Sequence, residues 1–459
     1  MLMLNVDVRA HRPYLRASAG GQKLFLMLKL LPAPEAAVAR PDVSVAVVVD
    51  TSGSMREPAP GTTPELVPTD PVTVDGKTYN ATYRGASKLD ITMEAVRRLV
   101  ESEYLRPDDR VSLIHFDDQA DVLASEKVGE GRSRLAQAVD RLREYSGGTQ
   151  MALGLRDAEA ELRGQQDDTR TVLLLTDGLA IDEEECREAA SALAALRARI
   201  IALGVGEEYN EDLLADLAST TQGKPYDFRD MTVLPEIFDA ELGSATRQVV
   251  SDVEATVKTV RDVRLVSVAR VYPSLADLDP ARAPLQLGSL EAGDHTIFIL
   301  ELDVPERPAV RARLAQIGVT YRVPGQGYRG EIPPIDVTVE YTTDEALAAS
   351  VDPEVMGYVQ QRNVDSLIRQ ATEQAETNPE QAAKTLRVAR SMTQRLGNRG
   401  MTVALGQAED ELRSRGTIAI GTRKTIKLGA RTQTMKVGPD DDLPQNVPSQ
   451  DEIRRLTGA

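Results

Sequence analysis

Short uninterrupted runs of apolar residues mark the part of the chain from residue 41 to residue 247. The run Val45–Val49 leads directly into Asp50, and the run Val172–Leu175 ends shortly before Asp177. Between such runs, apolar residues recur every three or four positions, as on one face of a helix. An uninterrupted run is typical of a strand buried on both faces of a parallel sheet. The alternation therefore predicts an α/β doubly wound domain over residues 41–247.

On both sides of this domain apolar residues alternate with polar ones, as they do in strands with one buried face. Residues 1–40 contain two such stretches around a Gly-rich turn, and residues 248–345 contain several, separated by Pro and Gly. A single hairpin is not stable alone, so the first stretches need partners elsewhere. We therefore predict that 1–40 and 248–345 are two parts of one β-sandwich, into which the α/β domain is inserted.

Residues 346–413 contain few helix-breaking residues and predict helices near 354–376, 379–395 and 400–413. These helices would form a small helical bundle. Their apolar stripes can either pack onto the sandwich or form a docking surface for another protein, and the sequence leaves both open.

The composition limits the classes of function. The 459 residues carry 71 acidic and 54 basic side chains, a net charge of -17, which argues against nucleic acid or an anionic membrane as the partner. A single cysteine excludes an internal disulfide. We find neither a signal-peptide pattern nor an apolar run of membrane-spanning length, and we therefore expect a cytoplasmic protein. The three histidines are scattered and lack the spacing of a zinc site.

Polar residues at the ends of the predicted strands carry the candidate chemistry. Asp50, Ser52 and Ser54 place three oxygen ligands on one tight loop. Thr149 ends a second, Gly-rich loop, and Asp177 follows the second buried strand. Ligands of open α/β sheets bind at the carboxyl ends of strands, and hard cations such as Mg²⁺ bind oxygen. The three loops predict a divalent-metal site. No histidine or lysine recurs beside them as a general base, and no catalytic residue is predicted.

The order Asp-x-Ser-x-Ser, then Thr, then Asp resembles the metal-ion-dependent adhesion site of von Willebrand factor type A domains. The resemblance covers the predicted α/β domain and implies a Rossmann-like fold. It implies that Ser52, Ser54 and Thr149 ligate Mg²⁺ or Mn²⁺ directly, while Asp50 and Asp177 often act partly through water. A carboxylate from a protein partner then completes the coordination. Intracellular bacterial relatives often work with a MoxR-type ATPase of the chelatase class, or near Ser/Thr kinases.

The last predicted segment, residues 414–459, is a basic tail with an acidic end. The pattern Thr, apolar, any residue, apolar, Gly begins in it at Thr417, Thr425 and Thr434. One interpretation is a small β-hairpin or three-stranded meander. The other is a flexible tail whose threonines are phosphorylated by a Ser/Thr kinase. Each has basic residues just upstream and an aliphatic residue three positions on, which resembles the ligands of forkhead-associated domains.

Several functions are compatible with these features. The leading hypothesis is a cytoplasmic adaptor, not an enzyme, whose metal binds an Asp or Glu of a partner protein. The alternatives are a divalent-metal-dependent hydrolase, a chelatase-like co-factor protein of a MoxR-type AAA+ ATPase, and a scaffold whose tail alone recruits partners. The insertion over residues 57–86, rich in Pro and Gly, is either a surface loop or a specificity loop beside the metal.

Overall fold

The structure is a computed structural model that describes residues 3–38, 40–62, 65–74, 77–84, 86–165, 169–324 and 329–437, with the backbone alone for 37–38, 65–74 and 77–84. The chain divides into two compact units. The parallel-sheet unit comprises residues 42–217 and 225–245. The two-sheet unit comprises residues 1–41, 218–224 and 246–448, so far as they are described.

Strands and helices alternate through the first half of the chain, strands dominate the next part, and helices follow. The strands are β1 Leu4–Ala10, β2 Tyr14–Arg16, β3 Gln22–Pro32, β4 Val43–Asp50, β5 Glu65–Val74, β6 Lys77–Arg84, β7 Arg110–Phe116, β8 Ala120–Lys127, β9 Thr169–Thr176, β10 Arg199–Val205, β11 Lys224–Phe228, β12 Gln248–Thr259, β13 Arg264–Tyr272, β14 Ala276–Leu278, β15 Leu285–Glu291, β16 Thr296–Val304, β17 Val310–Arg322 and β18 Arg329–Thr342. The helices are α1 Lys88–Glu101, α2 Val128–Arg141, α3 Met151–Arg163, α4 Glu183–Ala195, α5 Glu211–Thr220, α6 Leu234–Thr246, α7 Glu345–Ala348, α8 Pro353–Thr377, α9 Pro379–Arg395, α10 Arg399–Arg415 and α11 Ile420–Thr432.

In the parallel-sheet unit the strand order is β11-β10-β9-β4-β7-β8. The strands β10, β9, β4 and β7 pair in parallel, and β8 pairs antiparallel with β7. Every residue of β4 is buried, which is why its sequence is a nearly continuous apolar run. The register places Val49 beside Leu175, so β4 and β9 end at the same edge of the sheet. The predicted α/β fold is confirmed for this part of the chain.

The two-sheet unit contains sheets of order β1-β3-β16-β13-β14 and β15-β12-β17-β18-β2. Strand β3 pairs antiparallel with β16, so strands from both sides of the parallel-sheet unit in the sequence lie in one sheet. Both sheets contribute side chains to one apolar core, among them Leu28, Phe298, Leu300, Ile317, Val339 and Tyr341. Burial of this shared apolar surface holds the two sheets face to face.

The helices α8, α9 and α10 begin at side-chain caps. Asp352, Asn378 and Asn398 accept hydrogen bonds from backbone N–H groups in the respective first turns. Helix α8 packs onto residues of β3, β13 and β16 through an apolar stripe that includes Val355 and Tyr358. Of the two alternatives for the helices, packing onto the sheets is therefore observed for α8.

The prediction of a flexible tail over residues 414–459 is wrong for its described part, and residues 438–459 lie outside the described residues. Helix α10 extends to Arg415, and α11 covers much of the repeat, so the hairpin or meander interpretation is wrong as well. The reason is that Gly421, Thr425 and Leu428, at helical spacing, are all buried. Tertiary burial therefore selects the helical period over the alternating one.

The described residues after α11 have no regular secondary structure but are hydrogen-bonded to their surroundings. Gln361 of α8 donates to the Met435 carbonyl at 2.6 Å and accepts from the Met435 N–H at 2.7 Å. The Thr434 hydroxyl donates to the Pro273 carbonyl at 2.8 Å. These bonds give the segment one defined position on the two-sheet unit.

Candidate metal centre

Asp50, the last residue of β4, lies fully buried at the carboxyl edge of the parallel sheet. Its Oδ1 accepts a hydrogen bond from the Ser52 N–H at 2.8 Å. Its Oδ2 accepts from the Thr176 hydroxyl, at the end of β9, at 2.7 Å. The carboxylate is thus oriented by its own loop and by the neighbouring strand.

The loop after β4 carries the two serines towards the end of β9. The Ser52 and Ser54 Oγ atoms are 3.1 Å apart, and the Ser54 hydroxyl donates to Asp177 Oδ1 at 2.7 Å. Asp177 and Ser52 are buried, whereas Ser54 is half-buried. Four of the five predicted ligands therefore form one hydrogen-bonded cluster.

Thr149 reaches the same edge through its backbone and its neighbours. The Gly53 N–H donates to the Gly147 carbonyl at 3.2 Å, which joins the two loops. A Cβ atom at Gly178 would lie 3.3 Å from the Thr149 Oγ1, so this hydroxyl packs directly against the residue after Asp177. The structure thus brings together all five residues that the sequence pattern selected.

The electrostatics of the cluster suit a bound cation. Burial, together with the charge of Asp177, raises the pKa of Asp50 to about 6, although the hydrogen bonds from Ser52 and Thr176 lower it. Two carboxylates and three hydroxyls form a set of hard oxygen donors of the kind that Mg²⁺ or Mn²⁺ accepts. The described residues contain no group of three or more His, Cys, Asp or Glu side chains arranged for a metal, so hydroxyl ligands distinguish this site.

Lys88, the first residue of α1, also lies at this site and was not among the predicted site residues. Its Nζ donates to Asp177 Oδ2 at 2.7 Å and to Glu57 Oε2 at 3.0 Å. Burial by itself would lower the pKa of Lys88. The hydrogen bonds and charges of Asp177 and Glu57 outweigh this effect and raise the pKa. A lysine therefore lies beside the metal loops, but it is paired with two carboxylates and is not placed as a general base. The only local signal was the capping pair Ser87 and Asp90, which predicts where α1 begins but not where Lys88 points.

Two apolar side chains beside the site face solvent. Leu179 and Ile181, which follow Asp177 on the same loop, are 60% and 75% exposed. Their loop is held in place because the Ile181 N–H donates to the Thr149 carbonyl at 3.3 Å. The predicted metal ligands are thus bordered by two exposed apolar side chains.

The three threonines of the C-terminal repeat occupy three different environments. Thr417 lies exposed between α10 and α11. Thr425 is buried inside α11, where its hydroxyl donates to the Gly421 carbonyl at 3.0 Å. Thr434 is half-buried, and its hydroxyl donates to Pro273. The structure therefore does not present the repeat as three equivalent sites.

Comparison with known proteins agrees with this geometry. Residues 44–240 match the model of the von Willebrand factor type A domain family. The chain contains a von Willebrand factor type A domain. The matched segment includes all five predicted metal ligands as well as Lys88.

The fold of the whole chain is similar to that of solved structures. A von Willebrand factor type A protein from Catenulispora acidiphila superposes with a TM-score of 0.76 at 17% identity, covering 94% of this chain and 97% of that one. The ArnB paralog VWA2 from Sulfolobus acidocaldarius gives a TM-score of 0.58 at 14% identity, covering 94% and 100%. At these identities the likeness concerns the fold alone.

A curated relative also matches part of the chain. An uncharacterised protein of Synechocystis sp. is 23% identical over 250 residues, which are 52% of this chain and 59% of the relative. No helix in the described part of the chain has both the length and the apolar character needed to cross a bilayer.

Proposed function

We propose that the chain is a metal-dependent adaptor in which Asp50, Ser52, Ser54, Thr149 and Asp177 hold Mg²⁺ or Mn²⁺ for binding to a partner protein. The cluster of two buried carboxylates with three hydroxyls at one sheet edge is the observation that carries this proposal. The bound metal would supply a positive centre to which an Asp or Glu carboxylate of the partner binds.

The surface around the cluster supports a protein as the partner. Among the exposed large apolar side chains of the described residues, Leu179 and Ile181 have the highest exposed fractions. Apolar side chains left in water beside a polar site are typical of protein-binding surfaces. A partner segment with an acidic residue next to aliphatic ones would contact both the metal and this loop.

The alternative of a metal-dependent hydrolase receives less support. Such an enzyme needs a group that takes a proton from water. Lys88 is held as an ammonium between two carboxylates, so it has no free electron pair to accept a proton. His115 is buried, with its ring stacked on Tyr145 at a centroid distance of 3.6 Å. These placements favour binding without cleavage.

The finer features of the function rest on the resemblance described above. A MoxR-type ATPase in the cytoplasm, for which this chain would act as a chelatase-like co-factor protein, is one acidic partner compatible with the site. For a Ser/Thr kinase and a forkhead-associated reader, the exposed Thr417 is the compatible position, because phosphorylation of Thr425 or Thr434 would first have to break the hydrogen bond that each hydroxyl donates.

Titration of Mn²⁺ into the purified full chain tests the adaptor proposal. We expect the wild-type chain to bind Mn²⁺ and Asp177→Ala to bind it at least about a hundredfold more weakly, because a buried carboxylate of the donor set is lost. In parallel, partner capture by the immobilised chain should require Mg²⁺ and be abolished by a chelator and by Asp177→Ala.

The matched control is Asp108→Ala, which removes a 70% exposed carboxylate in the same unit that pairs with Lys127 at 3.0 Å. It should bind Mn²⁺ and capture partners like the wild type. Equal Mn²⁺ affinity in Asp177→Ala and wild type would overturn the proposal.

A further inference from the structure

Lys88 places its ammonium group inside the predicted metal-binding cluster, 2.7 Å from Asp177 Oδ2. Its side chain is 11% exposed, and that of its partner Asp177 is fully buried. Its other partner, Glu57, is 62% exposed, so solvent screens that pair much more strongly. Asp177 is therefore the main electrostatic partner of the ammonium.

The two carboxylates of the cluster differ in what balances their charge. Asp177 receives the Lys88 ammonium on Oδ2 and the Ser54 hydroxyl on Oδ1. Asp50 receives two neutral donors, the Ser52 N–H and the Thr176 hydroxyl. Asp177 is thus already neutralised by a cation of the chain itself, whereas Asp50 receives only neutral hydrogen-bond donors.

The backbone around Lys88 is held in place, which fixes where the charge lies. Lys88 N–H donates to the Glu57 carbonyl at 3.0 Å, and Ser87 caps α1 in a reciprocal pair with Asp90. Pro58 and Ser87 form an antiparallel bridge at the base of the insertion that carries β5 and β6. The lysine is therefore built into the junction between that insertion and the metal loops.

We propose, on the basis of the proposed function, that Lys88 is a positioning residue that acts as a resident counter-cation of the metal site. It weakens binding of the divalent metal, because both cations share the Asp177 carboxylate and repel one another. Among the buried groups, it also leaves the loaded cluster with a net positive charge, because the exposed Glu57 is screened by solvent. Without Lys88, the two buried carboxylates would just neutralise a divalent ion. That excess charge draws in an anionic ligand such as the partner's Asp or Glu.

Two titrations of the full chain measure the two consequences separately. The first follows binding of Mn²⁺ by calorimetry. The second follows displacement of Mn²⁺-bound water by acetate, a minimal carboxylate probe, through water-proton relaxation. In Lys88→Met we expect Mn²⁺ affinity to rise about tenfold or more and acetate affinity of the loaded protein to fall about tenfold. A merely structural role for Lys88 would lower both affinities.

Three further variants separate charge from shape and folding. Lys88→Arg keeps the charge and should behave like the wild type in both titrations. Lys29→Met removes a half-buried lysine of the two-sheet unit, paired with Glu354 at 3.4 Å, and should change neither affinity. Lys88→Gln gives the same readout with a shorter polar side chain, should Lys88→Met fail to fold.

The outcomes distinguish this inference from the adaptor proposal. Wild-type binding of Mn²⁺ with equal or weaker binding by folded Lys88→Met and Lys88→Gln overturns the role of Lys88 and leaves the metal site standing. Mn²⁺ binding by Lys88→Met but not by the wild type supports the role of Lys88 and contradicts a metal-dependent adaptor. Binding by neither protein overturns both.

Discussion

Each unit of the molecule contains a buried carboxylate paired with a basic side chain, and the two carboxylates differ in the groups that surround them. In the two-sheet unit, Asp365 of α8 is 2% exposed and lies 2.8 Å from the Arg369 guanidinium and 3.3 Å from that of Arg431 on α11. In the parallel-sheet unit, Asp177 meets the single ammonium of Lys88 and is otherwise bordered by hydroxyls.

The two sites differ in whether further oxygen donors lie beside the carboxylate, where an additional ligand could bind. Two arginines from two helices enclose Asp365, so its charge is used to hold α11 in place. Asp177 shares its cluster with a second carboxylate, Asp50, and with half-buried hydroxyls at an exposed loop. A buried acid alone therefore does not indicate a binding site, whereas an excess of oxygen donors over cations does.

The largest effect of a substitution on stability should come from breaking the enclosed pair. Asp365→Asn leaves Arg369 and the buried Arg431 with the 41% exposed Asp277 as their remaining acidic partner, and we expect unfolding to cost about 2 kcal/mol less. Urea unfolding measures this change, and proteolysis within 416–437 should become faster. Mn²⁺ affinity should not change.

The control for that variant is Asp410→Asn on α10, whose carboxylate is 77% exposed and pairs with Arg413 at 3.5 Å. It should stay within about 0.5 kcal/mol of the wild type. If both variants are equally stable, the Asp365 pair does not hold α11 and the comparison between the two acids fails.

Low pH should destabilise the two-sheet unit through a buried histidine. Burial lowers the pKa of His11, in the two-sheet unit, to about 4, while its ring Nδ1 accepts from the Phe25 N–H at 3.0 Å. Below pH 6.5 the unfolded chain binds a proton at this residue that the folded chain does not, so stability falls as the pH drops from about 6.5 to about 4. The loss is at most about 3 kcal/mol.

His11→Asn offers an amide oxygen to Phe25 but cannot titrate. Its unfolding free energy should therefore decline less than that of the wild type as the pH falls from about 6.5 to about 4. Near neutral pH, the difference in unfolding free energy between the two proteins should not depend on pH. Parallel curves from pH 7.5 to pH 4 would show that the ring is protonated equally in both states.

The smallest expected effect concerns the apolar loop of the metal site. Leu179→Ser with Ile181→Ser should weaken metal-dependent partner capture about tenfold, because apolar contact with the partner is lost while the donor set is intact. Mn²⁺ affinity, measured in the same preparation, should be unchanged. Val310→Ser, which alters a 45% exposed apolar residue of β17, serves as the control. Capture by the double variant at the wild-type level would remove this loop from the proposed interface.

Much of the parallel-sheet unit could be predicted because its strands are buried on both faces. The continuous apolar runs before Asp50 and Asp177 leave little choice but central strands of a parallel sheet, and such strands end at a common edge. The apolar residues that recur every three or four positions between such runs likewise predicted helices, and α1 is observed at Lys88–Glu101. The convergence of the predicted metal ligands follows from these local patterns together with the topology.

The C-terminal repeat shows where local pattern is insufficient. Its alternation of Thr, Ile and Lys is compatible with a strand, whereas its small and apolar residues also recur at helical spacing. The buried contacts of α11 with α8 and α10, such as Arg431 with Asp365, decide between the two. Those partners are distant in the sequence, so the residues of the tail alone do not show whether it forms a helix or a strand.

By itself, the sequence determined the α/β domain, its buried strands and the oxygen donors at their ends, since strands buried on both faces appear as short continuous apolar runs. Only the tertiary structure decided that α11 is a helix, and that Lys88 reaches Asp177 across 89 positions of sequence. The physical reason is the same in both cases: the free energy of a buried charge or a buried face depends on the groups that the fold brings against it.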